Sequence, residues 1–399
     1  MGHGSGTGVG MSHQGFDKII GQDLAKRVLT KAAREQQPAH AYLFLGLEGT
    51  GKLTTALEFA KALNCESFDP STSSGLRMTE GTAGACGECP LCHTIEHGNM
   101  PDVRVWPPEG KNTKIVQMRE MRDHAILKPM RARWKVNIIE QGDTLNEDSA
   151  NCILKLVEEP PDYLVNILLY RNAAAVLPTI WSRCQLVRFT QVSAAELVDR
   201  LLDDHGVSND EARFLAAYSQ GCPGKAIRLM GNTEFIGRRD AVAGIAAAAS
   251  ARSKRWLALK LAEALRASGK STAEEPEQTE ESEDTPGSEL AEGSKDEEAE
   301  APAPDRAKKA RKNVRDNTIE SLEVLLVWYR DLLAAKLRGT DAALVNVDRR
   351  DEIAAQAANY PHAGRLLTAV DAILQAKRNI IGNANPQIAT EALIIRLMG

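Results

Sequence analysis

The sequence predicts an α/β fold, a parallel sheet carrying a phosphate-binding loop, followed by smaller helical domains. Three observations carry this expectation. Five short apolar runs in the first half of the chain alternate with helical stretches. A glycine-rich loop follows the first run and leads into a helix. After Ser193 the strand signal fades into alanine- and leucine-rich helical periodicity. A chain of 399 residues also exceeds one ordinary core, so two or three domains are expected.

Residues 1–14, including MGHGSGTGVG, lack the apolar centre of a signal peptide and read as a disordered tail, with Met11 a second candidate start. Residues 15–190 form the expected α/β domain. Its strands are AYLFL (Ala41 to Leu45), VRVW (Val103 to Trp106), KVNIIE (Lys135 to Glu140), VNILLY (Val165 to Tyr170) and QLVRF (Gln185 to Phe189). They are continuous apolar runs, as strands buried on both faces require. Asn146 can cap a helix in which Ala150, Ile153, Leu154 and Val157 share one face, and Pro160-Pro161 ends it. A helical lid is expected at 191–235, broken by Gly206 and by Gly221-Cys222-Pro223-Gly224. Residues 236–270 and 316–399 should pack into one helical domain.

Between those halves lies 271–315, rich in Pro, Ser, Glu and Ala, with thirteen acidic residues against one lysine from Glu274 to Glu300 and a basic run after them. So little apolar surface cannot offset the entropy of ordering, and a disordered insertion is expected. It functions as a solvated linker, or as an acidic arm competing with DNA for basic surfaces. The net charge of −5 hides this segment; the remainder is mildly basic, which suits a polyanionic partner. No apolar run approaches the roughly 20 residues needed to span a bilayer. Seven cysteines without an export signal fit a reducing cytoplasm.

The loop LEGTGK places Gly46, Gly49, Gly51 and Lys52 as a phosphate cradle, but Leu53 stands where such loops carry a magnesium-binding hydroxyl. Thr54 lies one residue on, about 100° round the helix. The strand KVNIIE ends in Glu140 and Gln141 rather than in a pair of acids, and Gln141 cannot act as a base. Nucleotide binding at this loop is therefore doubtful and hydrolysis is not expected. Cys65, Cys86, Cys89 and Cys92 have the spacing of a four-thiolate structural zinc site. A free thiol cluster, a redox pair and a haem attachment at Cys89 to His93 are the alternatives. Cys152, Cys184 and Cys222 are scattered. Arg183, in Ser182-Arg183-Cys184, either anchors a local carboxylate or reaches into a neighbouring subunit's phosphate site.

Taken together, HAYLFLGLEGTGK, KVNIIEQGDTLNEDSANCILKLVEEPP, LPTIWSRCQ, GCPGKAIRL and NANPQIATEALIIRL resemble the bacterial DNA polymerase III sliding-clamp loader, an AAA+ assembly. The likeness runs from about Phe16 to Met398, interrupted by the insertion. The chain is more similar to that family's delta-prime members than to its gamma/tau ATPases, which carry Thr at the place of Leu53 and Asp-Glu at the place of Glu140-Gln141. The resemblance implies an AAA+ domain, a lid and an oligomer-holding collar, with zinc on the four cysteines. It also implies that Arg183 completes an ATP/Mg²⁺ site on a neighbouring subunit. Gly224 stands where an ATPase member places a sensing arginine, with Lys225 or Arg228 as substitutes. The implied partners are the other loader subunits, the sliding clamp and primed DNA, without a membrane. A gamma/tau-like ATPase using Thr54 and Glu140, and a zinc-stabilised replication scaffold without a nucleotide role, are the rival readings.

Overall fold

The computed structural model describes residues 15–66, 84–108, 115–145, 147–250, 257–267 and 304–398. The expected tail, Asn146, most of the loop between Cys65 and Cys86 and the insertion up to residue 303 lie outside them. The chain divides into two compact units, 1–230 and 231–399.

In the first unit the five apolar runs become five parallel strands: β1 (Ala41–Leu45), β2 (Val103–Trp106), β3 (Lys135–Ile139), β4 (Leu164–Tyr170) and β5 (Gln185–Arg188). Their spatial order is β2-β3-β4-β1-β5. β3 and β4 are buried throughout and β1 nearly so, whereas the edge strands are only partly covered, β2 exposing Arg104 and β5 exposing Gln185 and Arg188. Continuous hydrophobicity thus marks the sheet's middle, and broken hydrophobicity its rims. Parallel pairing demands a crossover for each strand. These crossovers are α2 (Lys52–Asn64) and α3 (Pro90–Glu96) after β1, α4 (Ile115–Ile126) after β2, α5 (Glu147–Glu158) after β3 and the short α6 (Pro178–Trp181) after β4; α1 (Asp23–Glu35) precedes β1.

Alternation along the strands sorts the core into two layers. Tyr42, Phe44, Val136, Ile138, Val165 and Ile167 face the core shared with α1 and α2. Leu43, Ile139, Leu164, Leu168 and Tyr170 face α4 and α5. Ala150, Ile153 and Val157 of α5 are buried as their spacing predicts, while Leu154 is half-buried.

The lid follows as α7 (Ala194–His205), α8 (Asn209–Tyr218) and α9 (Pro223–Leu229). Ser193 and Ser208 cap α7 and α8 by accepting from the Glu196 and Glu211 amides, and Gly206 in the left-handed region ends α7.

The second unit is helical: α10 (Thr233–Ser250), α11 (Leu257–Ala267), α12 (Pro304–Arg338), α13 (Arg350–Ala358), α14 (Ala363–Ile381) and α15 (Pro386–Met398). Leu325, Trp328, Ile353, Leu366 and Ile394 centre its core. The Trp328 indole N–H donates to Gln356 Oε1 at 2.9 Å, so the ring is buried with its polar edge satisfied. One expectation is corrected here. Residues 304–315 belong to α12 rather than to a disordered segment. Their Ala, Lys and Arg are strong helix formers, and a composition rule weighs their charge without that propensity. Arg315 adds a tertiary tie, donating to Asn383 Oδ1 at 2.7 Å and to the Ile381 carbonyl at 2.6 Å. Among the described residues no helix is long and apolar enough to cross a membrane.

Candidate functional site

Ligands of open parallel sheets bind outside the carboxyl ends of the strands, where the loop after β1 lies. A Cβ on Gly46 would come within 2.4 Å of the Phe189 carbonyl, so only glycine lets the loop leave β1 beside β5. Gly51, at φ +90°, turns the chain into α2. A cleft of about 320 Å³ opens there, at the lower end of the small-ligand range. Gly49, Gly51, Lys52, Thr54 and Glu140 line it, while Gly46 is not in its wall and offers its carbonyl to Lys52. The structure therefore brings together the residues the sequence singles out.

Lys52 does not project into the cleft as a free charge. Its Nζ donates to the Gly46 and Leu47 carbonyls, both at 2.6 Å. Burial pulls its pKa down to about 8, against the opposing pull of Asp143 and Glu48. The loop's other hydroxyls are turned inward: Thr50 Oγ1 donates to the Leu47 carbonyl and Thr55 Oγ1 to the Gly51 carbonyl, each at 2.8 Å. Leu53 is half-buried, packs against the core shared with α1 and α2 and also lines the cleft. Thr54 is the exposed hydroxyl of this turn on the cleft wall.

Three groups escaped sequence reasoning. Arg171 follows β4 directly and lines the cleft. Glu48 sits within the loop, and its Oε2 accepts from Arg171 at 3.2 Å. Asp143, in the 3₁₀ turn Gly142–Thr144, accepts from the Arg171 and Asn172 amides at 2.8 and 3.1 Å and fixes the end of β4. The available signal was position: a charge immediately past a buried strand stands at the ligand-binding edge.

The lid closes against this loop. The Gly224 amide donates to the Gly49 carbonyl at 2.8 Å, and a Cβ on Gly49 would lie 3.0 Å from the Lys225 nitrogen. Of the two candidate substitutes for a sensing arginine, Lys225 stacks its ammonium over the Tyr218 ring at 5.0 Å. Arg228 instead lines the cleft and donates to Glu48 Oε1 at 3.4 Å.

Arg183 lies away from the cleft, just past α6. It is 39% exposed, pairs with Glu158 at 2.9 Å and donates to the Thr179 carbonyl at 3.2 Å. The local carboxylate anchor is thus present, and the guanidinium retains an open face.

Cys65 follows α2 directly, Cys89 is the N-cap of α3 and Cys92 lies within that helix. With Cys86 they bring four sulfurs within 4.8 Å of one another. Tetrahedral coordination at about 2.3 Å would set sulfurs about 3.8 Å apart; Cys86 and Cys92 are at 4.0 Å. Backbone N–H groups of Cys86, Glu88, Cys89 and Cys92 point at sulfurs at 3.3–3.4 Å. Neighbouring sulfurs, Cys65 foremost, and burial push the Cys92 thiol up. Sulfurs this close cannot all ionise without a cation among them, and the donor set fits zinc. The cluster is braced against α2: buried Lys61 pairs with Glu58 at 2.6 Å and with Glu96 of α3.

Two family models match the chain: "DNA polymerase III, delta subunit" over residues 21–193 and "DNA polymerase III, delta subunit, C terminal" over 308–398. The chain is 32% identical over 221 residues to DNA polymerase III subunit delta' of Bacillus subtilis, covering 55% of this chain and 63% of that one. It is 32% identical over 188 residues to the tau subunit of the same organism, covering 47% of this chain and 31% of the relative. To Escherichia coli tau it is 28% identical over 221 residues, 54% of this chain and 32% of the other. It thus spans less than two thirds of each of these relatives. The solved structure of a gamma subunit-related protein from Thermotoga maritima aligns over 92% of this chain and 97% of its own, at 16% identity and a TM-score of 0.41.

Proposed function

Because the chain belongs to the DNA polymerase III clamp-loader family of AAA+ proteins, we propose that it serves as a delta-prime-like subunit of that loader. In this reading it helps open the sliding clamp and place it on primed DNA in the cytoplasm. It assembles with the other loader subunits through its helical unit. It hydrolyses no ATP itself and supplies Arg183 to ATP·Mg²⁺ held by a neighbour.

The observation that carries this reading is Leu53 in the magnesium-binding slot, with the Thr50 and Thr55 hydroxyls consumed inside the loop. A hydrocarbon offers a metal no oxygen, and Gln141 offers water no base. Arg183 supports the second half of the reading. Its pair with Glu158 is exposed and therefore weak, so a phosphate can compete for the guanidinium at small cost. Structural zinc on Cys65, Cys86, Cys89 and Cys92 would hold α3 and the loop before it against the sheet domain.

Arg183→Ala should leave assembly of the reconstituted loader intact and lower its clamp-stimulated ATP turnover severalfold. The affected site itself would lose orders of magnitude, as arginine fingers do elsewhere. Unchanged turnover in an intact complex would refute the role. One observation favours a second reading, an active gamma/tau-like ATPase: Thr54 and Glu140 share the cleft. ATP turnover by the solitary chain, abolished by Lys52→Ala, would select it.

A further inference from the structure

Two guanidiniums converge on the mouth of the cleft from different elements, Arg171 from the end of β4 and Arg228 from lid helix α9. Two like charges held close repel, and an anion between them offsets that repulsion. The anion here belongs to the loop itself. Glu48 gives one carboxylate oxygen, Oε2, to Arg171 at 3.2 Å and the other, Oε1, to Arg228 at 3.4 Å. Among the described residues Glu48 is the carboxylate paired with Arg228, whereas Arg171 also lies 3.6 Å from Asp143. The remaining cation, Lys52, is spent on the loop's own carbonyls.

We propose that Glu48 is an intramolecular stand-in for a nucleotide's outer phosphate, and that it determines how strongly this cleft takes a polyphosphate ligand. A phosphate entering between Arg171 and Arg228 would accept the same two guanidiniums in the same bridging manner. It must first displace the carboxylate, and it then meets that carboxylate's charge as a neighbour. The bridge also joins loop to lid, beside the Gly224–Gly49 hydrogen bond. Side chains and backbone of this chain thus tie the lid to the loop. Glu48 acts through the two arginines and is a positioning residue.

The inference deepens the proposed non-hydrolysing role of this cleft, and its test is independent of Arg183 and of any complex. Binding of MgATP and MgADP to the full-length chain is measured by calorimetry for wild type and Glu48→Gln, which keeps size and exposure but removes the charge. The two pairs are exposed, and each is worth a modest amount. Releasing both, with the repulsion, should tighten MgATP binding about five- to tenfold. The gain for MgADP should be smaller, because the outer phosphate is missing. The gain should vanish in Glu48→Gln/Arg228→Ala and shrink in Glu48→Gln/Arg171→Ala. Equal or weaker MgATP binding by Glu48→Gln overturns the proposal, as does absence of binding by both proteins. So does a gain that persists without Arg228.

Discussion

Asp102, just before β2, illustrates how a single side chain can fix a stretch of backbone. It is 1% exposed, and its carboxylate accepts from the Met130, Arg131 and Ala132 amides at 2.8–3.0 Å. Burial alone would raise its pKa; the three amide donors and Lys135 outweigh that and hold it below the usual 3.8. A depressed folded-state value contributes stability above the unfolded value, and that contribution drains away as pH falls through the folded one. Asp102→Asn should therefore cost about 1–3 kcal/mol at pH 7. In denaturant titrations the gap to wild type should narrow towards pH 3; a constant gap would mean that the charge is not what matters. Such residues also mark the limit of sequence reading. Lys52, Leu53 and Glu140 were legible because loop and strand spacing are local patterns. Glu48 and Arg171 were not, nor was their meeting with Arg228, because it joins residues as far as 180 positions apart, and nothing in a local window encodes it.

Among the elements, the strands were the most legible. β1 and β2 match their apolar runs at both ends, and the others differ by one residue at one end, because each strand is a short, mostly apolar run bounded by polar or turn-forming residues. The start of α12 was not legible, since its charge obscured its helical propensity. The bracing of α3 against α2 was hidden as well, because Glu58 and Lys61 look like surface charges until their burial of 3% and 2% exposure is known. Protein purified without chelator should carry about one zinc per chain by elemental analysis, with four thiolates closing one site. Cys92→Ser should lose most of that metal and lower the melting temperature. A zinc content near zero in folded wild type would dismiss the site.

On the scale of the whole molecule, the division at 230/231 leaves each unit with its own buried core. In the second unit, the Asp331 carboxylate, fully buried, accepts from the Val345 and Asn346 amides and so closes the loop after α12 upon that helix. With its own core and its buried carboxylate satisfied internally, the fragment 231–399 is expected to fold alone. It should give a helical circular dichroism spectrum and a cooperative melt, whereas a broad, non-cooperative trace would show that its core depends on the rest of the chain.

The helix α2 begins at the phosphate-loop lysine and stops one residue short of the first clustered cysteine. Its thirteen residues make a rod of about 20 Å. Asn64, at the far end, is bolted to the backbone of Trp134 by paired hydrogen bonds of 2.8 and 3.0 Å. Neither end of a stiff strut can be relocated without carrying the other, so the cysteine cluster and the loop share one rigid element whose far end Trp134 holds.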